Sequence, residues 1–165
     1  MALLRERAPA AAANLAAAAG GALAESLPAV LAGSDFVLAA LARDPALCEA
    51  LCARASERLA GAPLPPPSLP TAHPDGAPGP GAQDQEQPQA LAAQFMAQLR
   101  RWRRAEFTRI AWRDLAGWAM LDETLADLSR AADLALRLAY TFALRALSAR
   151  HGRPLSEAGE PQQLM

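Results

Sequence analysis

Apolar positions recur at three- and four-residue steps over two long stretches in the second half of the chain. At 100° per residue, Leu91, Phe95, Leu99, Trp102 and Ile110 fall on one side of a helix. Leu125, Leu128, Ala132, Ala135, Leu138, Ala139 and Phe142 form a second stripe on a following helix. Leu121-Asp122 lies between them, and Asp122 is a suitable N-cap. His151-Gly152 closes the second helix, because Gly readily takes the left-handed conformation that ends helices, and Pro154 prevents continuation. The pattern predicts an antiparallel hairpin of two long helices over 89–151. On the second helix Glu123, Asp127, Arg130, Asp133 and Arg137 read as the solvated face. Arg145 and Arg150 lie near its C-terminus, where cations are favoured.

The first half is less regular. Residues 1–60 read as Ala-rich helices, and up to about residue 32, where Gly20, Gly21 and Pro28 are breaks, one or two short, weakly packed helices are expected. Ser34 and Asp35 sit before Phe36, Val37, Leu38 and Leu41, an N-cap followed by an apolar turn. Asp44-Pro45 repeats the device, with Pro at the first helical position. A helix from Pro45 to about Leu59 follows, with Leu47, Cys48 and Leu51 inward. Residues 61–88 hold nine of the 14 Pro and read as a disordered linker, with His73 a solvated loop residue. Residues 152–165 are polar and turn-rich, apart from a closing Leu164-Met165.

The stretch from Leu99 to Ala119 stands out. It holds all three Trp, six of the 16 basic residues and the only Ile. Its apolar stripe runs into charge: Glu106, Arg109 and Arg113 share that face, with Arg103 at its edge. The planar fork of Arg pairs carboxylates and phosphates bidentately. Two readings stand. Glu106 and acids elsewhere neutralise the arginines, since buried charge must be paired. Alternatively, Arg103, Arg109 or Arg113 points into an anion site or contacts another domain.

Composition narrows the function classes. The formal net charge is -1, so no overall field recruits nucleic acid or an anionic membrane. Contact through Arg100, Arg101, Arg103 and Arg104 would be strongly salt-dependent, and the near-neutral total argues against it. Every basic residue is Arg, and aromatics are 5%, so a core must be built from Leu and Ala. Cys48 and Cys52 share a helix face and read as small buried residues in a reducing cytoplasm. Arg5 and Arg7 before Ala10–Ala19 superficially resemble a signal peptide, but Glu6, Pro9 and Asn14 interrupt the run. No run reaches the ~18 apolar residues of a membrane span. The sequence shows no glycine-rich phosphate loop, no Ser-His-Asp or Cys-His arrangement and no metal-ligand spacing.

The central stretch resembles a known family. Leu99-Arg100-x-Trp102-Arg103-Arg104 and Arg109-Ile110-Ala111-Trp112-Arg113-Asp114-Leu115 are similar to the N-terminal region of the glutamine synthetase adenylyltransferase/adenylyl-removing enzymes. Ser34-Asp35-Phe36-Val37, Arg43-Asp44-Pro45, Glu123-Thr124-Leu125 with Leu128-Ser129, Arg150-His151-Gly152-Arg153-Pro154 and Gly159-Glu160-Pro161 continue the likeness in order, over about residues 33–164. The resemblance implies an all-α segment that precedes an α/β polymerase-beta-like nucleotidyltransferase domain, with 152–165 as its lead-in. It implies an enzyme that removes AMP from a tyrosine of glutamine synthetase by phosphorolysis, giving ADP, and elsewhere attaches AMP from ATP. Mg2+ and ATP or ADP are the implied cofactors. Glutamine synthetase, the PII signalling protein and glutamine are the implied partners. The family's Asp-x-Asp metal motif has no counterpart here, so no metal ligand or catalytic residue carries over, and the chain alone is expected to be an inactive scaffold. The Pro-rich stretch is longer than the family pattern. The competing expectation is a stand-alone helical interaction module, with Phe107, Leu115 and Trp118 as its apolar face.

Overall fold

Two capping signals set the first helices. A computed structural model of the chain describes residues 6, 9, 12, 13, 21–59, 63–70 and 86–162. Helix α1 spans Ala22–Gly33 and α2 spans Asp35–Arg43. Between them Ser34 is extended, and its hydroxyl accepts the Val37 N–H at 3.3 Å, as an N-cap should. Asp44 starts α3, Pro45–Cys52, with Pro45 in the first turn. The Asp44 side chain makes no cap bond and instead pairs with Arg101 at 3.3 Å. The predicted helix to Leu59 is shorter than expected. After Cys52 the chain tightens into a 3-10 turn over Ala55–Glu57 and turns left-handed at Arg58 and Leu59.

Two long helices follow, α4 over Glu86–Leu115 and α5 over Leu121–His151. A left-handed Gly117 ends α4: its N–H donates to the Asp114 carbonyl, and the Trp118 N–H donates to that of Arg113. This Schellman arrangement satisfies the last carbonyls and sets the chain up to reverse. Helix α5 begins at Leu121, so Asp122 lies in its first turn and does not cap it. It ends as expected, with Gly152 left-handed and its N–H on the Ser148 carbonyl.

The described residues form helices with no named strand, an all-α architecture as the periodicity predicted. The chain divides into two units. The first comprises Met1–Pro65 and Arg100–Ala132, the second Pro66–Leu99 and Asp133–Met165.

In the first unit Leu23, Leu27 and Val30 of α1 pack with Val37, Leu38 and Leu41 of α2 and with Leu47, Cys48 and Leu51 of α3. Leu59 and Trp112 complete this core. Fully buried Leu side chains contribute about 1.5–3 kcal/mol each, so α1 is anchored more firmly than its Ala-rich surroundings suggested. Gly33 lets α1 approach α4 closely: a Cβ there would meet a methyl of Leu115 at 2.9 Å. Three contacts fix α4 and α5 as antiparallel within this unit, joining Arg109 to Asp127, Arg113 to Glu123 and Asp114 to Thr124.

In the second unit the same two helices bring Phe95 and Phe142 into a stack, with ring centroids 4.6 Å apart. Residues 154–162 then form a short hairpin closed by the Leu155–Pro161 bridge.

Three further expectations change. Leu91 and Leu125 are exposed although both stripes placed them inward, whereas Thr124, Asp127 and Ala131 are buried. Asp127 is therefore not part of a solvated face. Leu64 is hydrogen-bonded to α4, so the disordered-linker expectation does not hold at that residue. His73 and most of 10–20 lie outside the described residues. Among the described residues no single helix is long and apolar enough to cross a membrane. Together α1 and α2 are, but they meet at 116°, and their Leu and Val side chains fill the core.

Candidate functional site

Two i,i+3 and i,i+4 steps on α4 carry the charged cluster inward. Glu106, Arg109 and Arg113 lie on the same face as Trp102 and Ile110, and all five are buried. Glu106 and Arg109 are each 1% exposed, deep enough that any unpaired charge would be severely destabilising.

The pairing is dense. Arg109 donates through Nε to both Glu106 oxygens at 3.1 Å and through Nη2 to Glu106 Oε1 at 2.7 Å. Nη2 also donates to Asp127 Oδ2 at 3.0 Å, and Nη1 to the Leu59 carbonyl at 2.9 Å. Every nitrogen of Arg109 thus has a partner. Burial pulls the Arg109 guanidinium downwards, but the hydrogen bonds and charges of Glu106 and Asp127 outweigh it and raise its pKa. It stays charged across the physiological range.

Arg113 is held by Glu123 at 2.6 Å and, at 3.5 Å, by Asp127 and the Trp118 carbonyl. Its Nε has no partner among the described residues. Arg130 reaches back to the second Asp127 oxygen. Three arginines therefore face three carboxylates, Glu106, Glu123 and Asp127, and the cluster is neutral.

The cluster also ties down the chain after α3. Glu106 Oε2 accepts the Leu64 N–H at 2.9 Å, and Trp102 Nε1 donates to the Leu64 carbonyl at 2.8 Å. Leu59 and Leu64 are thus both fixed to the same stretch of α4. A second tryptophan N–H contact, Trp112 Nε1 to the Ser26 hydroxyl at 2.9 Å, joins α4 to α1, and that hydroxyl donates to the Leu23 carbonyl.

Of the predicted site residues, the structure brings Arg109 and Arg113 together, both neutralised by protein carboxylates. Arg103 is not with them: it is exposed, with its guanidinium 6.0 Å from the Phe107 ring. Of the apolar face of a stand-alone module, Leu115 and Trp118 pack, partly buried, against the first unit's core, and Phe107 is half-buried beside Arg103. Asp127, Leu59 and Leu64 were missed. Asp127 carried one signal, because an acid was required opposite two inward arginines. Nothing local marked the Leu59 and Leu64 backbone groups.

Chemically, this arrangement clamps helices and leaves little for a ligand. Its carboxylates are occupied by guanidinium groups. Among the described residues no three His, Cys, Asp or Glu side chains gather to hold a metal.

A model of the glutamate-ammonia ligase adenylyltransferase family matches residues 24–165. The chain belongs to this family. It is 35% identical over 147 residues to the bifunctional glutamine synthetase adenylyltransferase/adenylyl-removing enzyme of Xanthomonas oryzae pv. oryzae, covering 88% of this chain and 13% of that protein. It is 38% identical over 132 residues to the enzyme of the same name from Stenotrophomonas maltophilia, covering 80% of this chain and 12% of the relative. The Thioalkalivibrio sulfidiphilus enzyme is 45% identical over 73 residues, 44% of this chain and 8% of the relative. The chain thus spans about an eighth of the length of the first two relatives. No solved structure matches it. The Arg-Ile-Ala-Trp-Arg-Asp-Leu stretch of this chain supplies the clamp's two buried arginines, Arg109 and Arg113.

Proposed function

We propose that the chain is a helical, non-catalytic portion of an enzyme that controls glutamine synthetase by reversible adenylylation. It contributes to the half that removes AMP from an adenylylated tyrosine by phosphorolysis, giving ADP. The observation that carries this reading is the neutral, saturated clamp of Glu106, Arg109 and Asp127: a family member of this length spends its most distinctive residues on holding helices. Mg2+ with ATP or ADP are the cofactors this reading assigns to the full-length enzyme. Glutamine synthetase is the substrate, and PII and glutamine set the direction of the reaction.

The reading is tested with adenylylated glutamine synthetase, phosphate and Mg2+. The full-length enzyme is expected to release ADP, and the 165-residue chain none. ADP release by this chain alone would overturn the non-catalytic assignment. Full-length enzyme that attaches AMP but never removes it, under any combination of PII and glutamine, would overturn the assigned half-reaction.

A further inference from the structure

Helix α5 ends beside a cleft that the chain itself folds over. Gly152, with a φ of +82°, turns the chain back after His151. Residues 154–162 return as a hairpin, held by the Gln162 N–H on the Pro154 carbonyl at 2.9 Å and the Ser156 N–H on the Glu160 carbonyl at 2.8 Å. Hairpin and helix enclose an open cavity of about 450 Å³, wholly within the second unit. Small-molecule sites run upwards from roughly 300 Å³, so this cleft has room for more than a bare ion.

The lining divides by chemistry. Leu144, Pro154 and Pro161 give apolar walls, and Arg145, Ser148 and Arg153 supply polar groups. Arg145 and Ser148 are three residues apart and share a face of α5. Pro154 steers Arg153 away from helical backbone, which stiffens the mount of the second arginine.

The charge that lines this cleft has one sign. No ion pair joins Arg145 or Arg153 to an acid among the described residues. The hairpin's acids, Glu157 and Glu160, are exposed and do not line the cavity. The C-terminus of α5 offers about half a negative charge, against two full guanidinium charges. On α4, by contrast, Arg109 and Arg113 meet carboxylates. A phosphate monoester carries about 1.5–2 negative charges near pH 7, and its oxygens suit the guanidinium fork. A monocarboxylate would leave one arginine uncompensated.

We infer that this cleft binds a small organic phosphate. Arg145 and Arg153 hold the phosphate, the Ser148 hydroxyl donates to it, and Leu144, Pro154 and Pro161 receive the apolar part. The inference stands on the cavity and does not depend on the proposed half-reaction, and its test reads no activity.

The test treats the full-length protein with phenylglyoxal, which modifies arginine, and reads each site by peptide mass spectrometry. Arg137 and Arg150, exposed on the same helix, are internal controls. Phenyl phosphate is the probe. It is expected to slow modification of Arg145 and Arg153 at least tenfold, saturably, and to leave Arg137 and Arg150 nearly unchanged. Arg145→Gln should raise the concentration that half-protects Arg153 by about tenfold, since a charge-assisted contact is lost. If that variant fails to fold, Arg153→Gln read at Arg145 makes the same comparison. Equal protection of all four arginines is ionic screening and overturns the proposal. Inorganic phosphate as effective as phenyl phosphate overturns the organic ligand. Resistance of Arg145 and Arg153 before any probe is added means that polypeptide fills the cleft, which also overturns it.

Discussion

Arg109 lies between Glu106, 2.7 Å away on its own helix, and Asp127, 3.0 Å away on the next. Asp127 also receives Arg113 and Arg130, so one carboxylate joins three guanidinium groups. Removing it leaves Arg109 with Glu106 alone and Arg113 with the half-exposed Glu123 alone, and strands buried N–H donors on both. Asp127→Ala is expected to cost about 1–3 kcal/mol in urea unfolding. Asp127→Asn, which keeps an acceptor, should cost less. Equal stability of Asp127→Ala and the parent would show that the clamp is energetically idle.

How far the sequence disclosed this site follows from where its signals lie. Glu106, Arg109 and Arg113 were legible because helical geometry alone puts them beside Trp102 and Ile110. Asp127 was read as solvated because the predicted stripe is broad. Leu125 and Ala132 lie on one flank of it and Phe142 on the other, nearer Ala131 and Asp127, and periodicity cannot say which flank meets α4. The early end of α3 was invisible for another reason. The bond from Arg109 that holds Leu59 spans 50 residues, and no local pattern encodes it. The caps at Ser34 and Gly152 were readable because they depend on neighbours in sequence.

Ser26 is the acceptor for a tryptophan N–H in the first unit's core. Ser26→Ala leaves Trp112 Nε1 without that partner, at an expected cost of about 1–3 kcal/mol. Ser26→Thr, which retains the hydroxyl, should recover part of it. Chemical denaturation with Trp fluorescence reports both.

Cys48 is pushed up to about 12, by burial first and then by the charge and hydrogen bond of Cys52. The folded state holds the thiol proton more tightly than the unfolded chain does, whose reference value is 9.0. This contribution to stability is whole below about pH 9 and is lost as pH rises towards 12. Cys48→Ala should flatten stability over that window. Unfolding curves at pH 8, 10 and 11 make the comparison. At pH 7.5 the native Cys48 thiol should resist maleimide.

Gly117 carries a φ of +67°, and nothing lies within 4 Å of where a Cβ would stand. Gly117→Ala therefore isolates backbone strain from packing. The expected loss is about 1–2 kcal/mol, the usual cost of the left-handed conformation for an L-residue. Gly117→Asn should lose less, and the difference between the two melts is the readout.

The paired grip of α4 on Leu59 and Leu64 has a consequence for how such chains diverge. Both backbone sites are held within two turns of one helix, by Arg109, Glu106 and Trp102. The spacing between them is therefore fixed, and a one-residue insertion there would pull one bond out of reach. Natural length variation among family members should therefore be absent between Leu59 and Leu64, which a comparison of their sequences checks.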